Sequence, residues 1–375
     1  MKLLHTADWH LGKTLLNRSL IDDQRYIFDR LLNIVDDQKP DAIIIAGDVY
    51  DRADPSTDAV NLFDEILFKL TERKIPVLCI AGNHDSAARL SFGSRLFAGK
   101  KFFITAKTAF EPKTIALPDE FGDVYFSLIP YFEPSEIRAK FFGENSERMT
   151  FDAAAKFYIA EARKKIPRGK RSVAVAHVFV EGGIESDSER KFVGTAGKVS
   201  AENFSGYDYA ALGHLHRPQS ITADNVRYAG SPLKYSAREF DHVKGVTLVE
   251  LNAEGFVRAE NIPLVPKHDL IVVEGTLAEF QSRPPCDDYA YVTLTDDEFV
   301  YEAAQKLRAT FPNLMEAKNK SPYASATNST RKFREGSTIW EQFAEFFAEM
   351  TGRPLTDDEK TALNEICGGL RDDTD

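Results

Sequence analysis

Short apolar runs separated by longer amphipathic stretches organise the first two thirds of the chain. The runs fall at Lys2–His5, Ala42–Ala46, Val77–Ala81, Tyr125–Ile129, Ser172–Ala176, Tyr209–Leu212 and Val246–Leu251, and their length and composition predict strands. Between the early ones, the stretch Leu20–Gln38 places Ile27, Phe28, Leu31, Leu32 and Val35 on one helical face. The stretch Ser56–Arg73 does the same with Val60, Phe63, Ile66, Leu67 and Leu70, and Ser56 and Thr57 stand as capping residues after Pro55. Strand alternating with helix predicts a layered α/β domain over residues 1–265.

The pattern changes after Leu264-Val265-Pro266. Leu270–Val273, Leu277–Gln281, Tyr289–Leu294 and Phe299–Thr310 read as strand, helix, strand, helix, a small α+β domain over 266–325. Asn319–Gly336 is polar and rich in Ser, Lys and Arg, which suits an exposed linker, bounded here at 326–336. Two short helices are predicted within 337–375, Thr338–Met350 and Thr356–Ile366, separated by the stop signal Thr351-Gly352-Arg353-Pro354.

Composition narrows the class. At 375 residues, 43% hydrophobic and 28% charged, the chain has ordinary globular proportions. No apolar run reaches the roughly 18–20 residues of a spanning helix, and the opening residues do not read as a signal peptide. Three scattered cysteines, Cys79, Cys286 and Cys367, make no CxxC pair, so a reducing cytoplasm is expected and Cys79 reads as a core thiol. The net charge of −11 argues against a wholly basic nucleic-acid binder. Its distribution weakens that argument, because residues 336–375 hold ten acids against three bases and the rest is only mildly acidic.

The ends of the predicted strands carry the chemistry. Asp8-Trp9-His10, Gly47-Asp48-Val49-Tyr50-Asp51, Gly82-Asn83-His84-Asp85, His177 and Gly213-His214-Leu215-His216 each follow an apolar run. Ligands of open α/β sheets gather at the carboxyl ends of strands. One Asp-x-His or one Asn-His means little, but five such ends aiming Asp, His and Asn at one place form a metal-binding constellation. Imidazole with carboxylate suits Mn²⁺, Fe²⁺ or Zn²⁺. The candidates are too many for one ion and enough for two if a carboxylate bridges. The glycines before Asp48, Asn83 and His214 are read as permitting tight turns. His5, His242 and His268 fall outside the motifs and are left as ordinary residues.

The series DWH, GDVYD, GNHD, a lone His and GHLH resembles the calcineurin-like metallophosphoesterase superfamily. The segments His5–Gly12, Gly213–Pro218 and Ala229–Ser236 (AGSPLKYS) resemble its DNA double-strand-break repair branch, the nuclease subunit of the bacterial SbcCD complex. The resemblance spans nearly the whole chain. It implies a four-layer α/β/β/α sandwich with a small α+β capping domain and a C-terminal helical pair. It puts Asp8, His10 and His216 on one metal and Asn83, His177 and His214 on the other, with Asp48 bridging. The implied cofactor is two Mn²⁺, with Fe²⁺, Zn²⁺ or Mg²⁺ as alternatives. His84 is then the residue beside the scissile phosphate, with Asp85 orienting its ring. Archaeal and eukaryotic relatives have a His three residues after the bridging Asp. Asp51 stands there in this chain, either behind the ligands or as a turn carboxylate.

The activity this implies is in-line hydrolysis of DNA, with the 3′ oxygen leaving: 3′-to-5′ exonuclease on double strands, endonuclease on single strands and hairpins, in DNA replication, recombination and repair. Lys13, Arg18, Arg52, Arg89 and Lys198 are candidate phosphate contacts, each equally readable as a solvated charge. Ile339, Trp340, Phe343, Phe346, Phe347 and Met350, continued by Leu363 and Ile366, form an apolar stripe. The stripe reads either as a hairpin folded on its own domain or as a docking pair, which the resemblance sharpens to an SbcC-type coiled-coil ATPase. No GxxxxGK[ST] motif occurs, so ATP chemistry belongs to that partner. The branch also dimerises through its nuclease domain, for which Leu15, Leu16, Leu20 and the helix near Pro55 are candidates, and it is cytoplasmic and nucleoid-associated. Two rivals stand beside this reading, a stand-alone metallophosphatase and a non-catalytic DNA-end scaffold.

Overall fold

The computed structural model describes residues 1–187, 189, 197–320, 343–348 and 353–367. Two six-stranded sheets form its centre. The first runs, in spatial order, Gly255–Pro263, Gly245–Asn252, Lys2–Thr6, Ala42–Ala46, Val77–Ile80, Phe102–Thr105. Its last four strands are parallel, and Leu4 is paired with Ile43 and Ile44 with Leu78. The second runs Gln219–Ile221, Ala223–Tyr228, Tyr209–Gly213, Arg171–His177, Gly122–Ile129, Lys113–Asp119. Tyr209–Gly213 and Arg171–His177 lie parallel, with Gly213 opposite His177.

Every predicted strand of the large domain lies on one of these sheets. The strands that the apolar pattern misses are mostly at or near sheet edges. Lys113–Asp119, for example, is nowhere fully buried and contains Pro118, as an edge strand tolerates.

Alternation along the strands builds the layers. Leu3, Ile44, Leu78 and Val249 of the first sheet pack with Phe126, Val173, Val175 and Ala211 of the second, all fully buried. The other face of the second sheet, including Ala174, Ala210 and Leu212, packs on Ala155, Tyr158 and Ile159 of the helix Phe151–Arg163. On the first sheet, Leu4, Ile43, Ile45 and the Cys79 thiol face outward and are also fully buried. The helices Ile21–Gln38 and Thr57–Glu72, which link parallel neighbours, must lie on that side.

The Ser56 hydroxyl caps the second of these helices by accepting the Ala59 N–H at 3.3 Å, as expected. Val60 does not face inward: it is 43% exposed, and Ala59 and Leu62 take the buried positions. Leu15 and Leu20 are buried within their own domain, so of the three leucines offered for a dimer contact only Leu16 is exposed.

The chain divides into two compact units, Met1–Val272 with Asp287–Ala290, and Val273–Cys286 with Tyr291–Asp375. The later strands, Leu270–Gly275, Tyr289–Leu294 and Leu314–Asn319, form a three-stranded sheet in that order. In the second unit, Thr276 and Glu279 make a reciprocal capping box on the helix Leu277–Gln281. Phe280 packs edge-on against Phe311, ring centres 5.5 Å apart. The helix expected over Phe299–Thr310 is shorter, Ala303–Leu307, and leaves Phe299 and Tyr301 exposed. Residues 343–348 and Asp357–Cys367 are helical, within the two predicted tail helices. The linker 326–336, Ile339, Trp340 and Met350 lie outside the described residues, as do the side chains of Leu363 and Ile366.

Candidate metal centre

The carboxyl ends of Lys2–Thr6, Ala42–Ala46, Val77–Ile80, Arg171–His177 and Tyr209–Gly213 lead into one polar cluster. The loops after the first two strands brace each other. Asp8 N–H donates to Gly47 O at 3.0 Å, His10 N–H to Asp48 O at 3.0 Å, and Leu11 N–H to Val49 O at 2.9 Å. The His214 N–H donates to Asp8 Oδ1 at 2.9 Å, joining the second sheet to the first. The His84 N–H donates to Asp48 Oδ1 at 2.8 Å, bringing in the third loop. Asp8, His10, Asp48, His177, His214 and His216 are all buried, and Asn83 is half-buried.

The seven predicted ligands are therefore neighbours. The Asn83 Oδ1 lies 3.0 Å from His177 Nε2 and 2.9 Å from His214 Nδ1. Asp48 Oδ2 lies 3.4 Å from His177 Nε2 and 3.7 Å from His10 Nε2. His10 Nε2 faces His216 Nε2 at 3.1 Å. Among the described residues, His10, Asp48 and His84 bring ligand atoms within 4.8 Å of one another, and so do Asp8, Asp48 and His177. Asp48 belongs to both groups.

Burial and charge oppose each other here. Burial pushes Asp8 up to about 7, although His177 pulls it down. Asp48 remains well below the usual carboxylate range because neighbouring imidazoles, His177 foremost, outweigh its burial. Burial pushes His10 down to about 4. His177 rises to about 9 because Asp48 and Asp8 outweigh the effect of burial.

The donor set fits divalent cations. Asp51 Oδ1 faces His10 Nδ1 at 3.4 Å, and Glu239 Oε1 lies 3.2 Å from His216 Nδ1. A carboxylate accepts only, so the His216 Nδ1 bonded to Glu239 carries a proton and its Nε2 presents a lone pair. That lone pair, 3.1 Å from His10 Nε2 and flanked by Asp48, is an arrangement that a shared positive charge stabilises.

The His84 ring is held by Nδ1, 2.8 Å from the Asp51 backbone oxygen, with its centre 4.7 Å from that of His10. This corrects the role expected for Asp85. Its carboxylate does not hold the His84 ring but accepts the N–H groups of Val49, Tyr50 and Gly82 at 3.1, 2.9 and 2.9 Å, tying the second loop to the third. Asp51 stands behind the candidate ligands, between His10 and the Lys13 ammonium, which it accepts at 2.8 Å.

The five basic candidates divide. Lys13 is committed to Asp51, the Arg18 guanidinium lies over the Tyr289 ring, and Lys198 lies over Phe179. Arg89 pairs with Asp54 at 2.7 Å. Arg52 reaches Asp51 Oδ2 at 3.6 Å, with its side chain 75% exposed. Of the tail stripe, Phe343 and Phe346 are exposed, and Phe347 lies under the Arg353 guanidinium.

Several residues of the site carry no motif. Gln24 is fully buried and links its own helix to the first loop, donating to His10 O at 2.7 Å and accepting from Gly12 N–H at 2.9 Å. Glu239, Lys244 and Glu189 gather around His216. The motif residues themselves are strained: Asp8, His10, Asp48 and His214 all have positive φ, at 52°, 44°, 48° and 114°.

Comparison with known proteins identifies the family. The calcineurin-like phosphoesterase family matches residues 1–218. The type 5 capsule protein repressor C-terminal domain matches residues 266–351. The SbcD subunit of nuclease SbcCD from Staphylococcus epidermidis is 34% identical over 99% of this chain and 99% of its own. Among solved structures, TT1561 of Thermus thermophilus aligns with 70% of this chain and 99% of its own, at 12% identity and a TM-score of 0.43. YfkN of Bacillus subtilis aligns with 70% of this chain and 90% of its own, at 12% identity and a TM-score of 0.39. The match to the phosphoesterase family over more than half the chain, and to an SbcD sequence end to end, means that this chain belongs to the calcineurin-like phosphoesterases and, among them, to the SbcD family of SbcCD nuclease subunits.

Proposed function

We propose that Asp8, His10, Asp48, Asn83, His177, His214 and His216 hold two divalent cations and that the chain hydrolyses DNA phosphodiesters with them. Asp48 carries this reading, as the carboxylate common to both close donor groups. Asp8, His10 and His216 fall to one ion and Asn83, His177 and His214 to the other. The mixed nitrogen and oxygen set suits Mn²⁺, with Fe²⁺ or Zn²⁺ as chemical alternatives. When bound, such a pair supplies positive charge for the phosphate and lowers the pKa of a water.

The chain's own residues do the rest. The Asp51 carbonyl can only accept, so His84 Nδ1 carries a proton and Nε2 is the nitrogen that exchanges one. Held this way, a protonated His84 donates from Nε2 to the leaving 3′ oxygen. Asp85 keeps the His84 and Asp48 loops in register, and Asp51 keeps the His10 ring turned toward Asp48.

The substrates of this reading are DNA ends for 3′-to-5′ exonucleolysis, and single strands and hairpins for endonucleolysis. The partner is an SbcC-type coiled-coil ATPase docking on the tail stripe, and the compartment is the cytoplasm; no helix among the described residues is long and apolar enough to cross a membrane. Exposed Leu16, Val60 and Phe68 offer apolar surface for a nuclease-domain dimer. The end-to-end match to a nuclease subunit, small domain included, favours this reading over a stand-alone phosphatase.

The test is Mn²⁺-dependent cleavage of a labelled hairpin DNA by wild type and His84→Gln. The variant should lose about 10²–10⁴-fold in rate while binding both ions. Wild-type turnover of a phosphopeptide with no DNA cleavage, even beside the ATPase, would overturn the reading.

A further inference from the structure

We propose that Glu239 and Lys244 act as a buried charged clamp that positions His216, and that affinity at one of the two cation positions depends on the Glu239 charge. The inference rests on the dinuclear reading above.

Glu239 ends the short 3-10 turn Ala237–Glu239 and is fully buried. Its Oε1 lies 3.2 Å from His216 Nδ1. Its Oε2 accepts the Lys244 ammonium at 2.6 Å and the Tyr235 N–H at 3.2 Å. Lys244 is 5% exposed, immediately before the strand Gly245–Asn252. Its ammonium also donates to His216 O at 2.7 Å and Ser231 Oγ at 2.8 Å. The two groups thus grip His216 at both ends, Glu239 by the ring and Lys244 by the backbone.

The physics favours a positioning role over a purely structural one. A buried ion pair contributes little net stability, because desolvation offsets most of the attraction. What the pair does here is directional. Glu239 accepts the Nδ1 proton, which fixes the tautomer and turns the Nε2 lone pair toward His10 Nε2. A carboxylate at that position also raises the basicity of the ring. Lys244 keeps Glu239 ionised without competing for Nδ1, because its remaining donors are taken by His216 O and Ser231 Oγ. The close fit extends to Gly230, where a side chain would meet His216 O at 2.7 Å, the same oxygen that Lys244 holds.

The experiment compares full-length wild type, Glu239→Gln and Glu239→Gln/Lys244→Met. Mn²⁺ stoichiometry and affinity are read by titration calorimetry, and folding by thermal melting. The single variant keeps the side-chain size and loses the charge. The double variant removes both charges and relieves the uncompensated ammonium. The expected result is a 10–100-fold loss of affinity at one position and none at the other in both variants, with the melting temperature recovered in the double variant. Recovery of affinity together with melting temperature would make the pair purely structural and overturn the inference. So would two ions bound at wild-type affinity by the single variant. Fewer than two ions on wild type would overturn the dinuclear reading and this inference with it, which separates the two failures.

Discussion

Gly82 lies against the carboxylate assigned as the bridge, so Gly82→Ala perturbs the centre without touching a ligand. A Cβ on Gly82 would sit 2.1 Å from Asp48 Oδ1, 2.6 Å from its Cγ and 2.4 Å from its backbone nitrogen, where ordinary contact begins at 3.4 Å. The carboxylate oxygen must therefore retreat by about 1.3 Å and the nitrogen by about 1 Å. Neither can move freely. The Asp48 loop is pinned by His10 N–H on Asp48 O at 3.0 Å, and the Gly82 side by its own N–H on Asp85 Oδ2 at 2.9 Å. Overpacking of this kind costs about 1–3 kcal/mol of stability, while a displacement near 1 Å at a reacting centre costs roughly 10²-fold in rate. Gly82→Ala should therefore melt only a few degrees low yet lose most Mn²⁺ affinity and hairpin cleavage. Gly99→Ala is the control, with φ −64° and nothing closer than Leu96 O at 3.4 Å. It should leave all three readouts unchanged. Wild-type affinity and cleavage in folded Gly82→Ala would refute the placement of Asp48 between both cation positions.

Three further outcomes follow from named contacts. Arg171 and Asp119 pair with side chains 7% and 6% exposed, and Arg171 also donates to Gly122 O and Asn252 O, so Asp119→Asn should cost about 3 kcal/mol at neutral pH. The Arg171 hydrogen bond holds the Asp119 pKa below its ordinary value. The stability gap between wild type and variant should therefore be full above about pH 4 and close as pH falls through the folded pKa; a gap constant down to acid unfolding would exclude the ion pair as its source. Arg52→Ala should reduce the salt slope of DNA binding by about one, whereas Lys13→Ala should not: both face Asp51, but Lys13 bonds it at 2.8 Å with its side chain 17% exposed, while Arg52 stands 3.6 Å away and 75% exposed; equal slopes in all three proteins would remove Arg52 from the phosphate contacts. Deleting 337–375 should abolish copurification with the coiled-coil ATPase and spare hairpin cleavage; retained copurification would place the docking surface elsewhere.

The apolar runs were legible because a strand inside a two-sheet sandwich must be apolar on both faces, as Ile43, Ile44 and Ile45 are. Edge strands such as Lys113–Asp119 escaped because one face meets water and no run forms. The ligand motifs were legible because each sits directly after such a run. Their partners were not, because they act across the fold: Glu239 lies 23 residues from His216, and Gln24 reaches His10 from a helix. The glycines before the ligands have different causes. Gly47 is a turn residue, with φ +93°. Gly213 is needed for a different reason, since a Cβ there would lie 1.9 Å from Ala46 O, where the two sheets converge. The adjacency of His84 and Asp85 suggested a hydrogen-bonded pair, yet successive side chains of a loop diverge, and Asp85 turned to three backbone amides.

The positive φ values at Asp8, His10, Asp48 and His214 show how the centre is held in place. For residues with a Cβ this conformation costs about 1–3 kcal/mol each and persists only where surrounding structure over-determines it. Here the determinants are the loops themselves. The backbones of Asp8 and His10 bond those of Gly47 and Asp48, and the His214 amide bonds Asp8. Relaxing one residue would break a bond made by the next. The restraint is anchored in parallel pairs whose register is fixed by buried apolar side chains, Leu4 opposite Ile43 and Ala211 opposite Val175. A register slip of one residue would invert those side chains and separate the loops together. The apolar core therefore fixes the donor geometry as well as the fold, and it offsets both the strain and the burial of Asp8 and Asp48 at its rim.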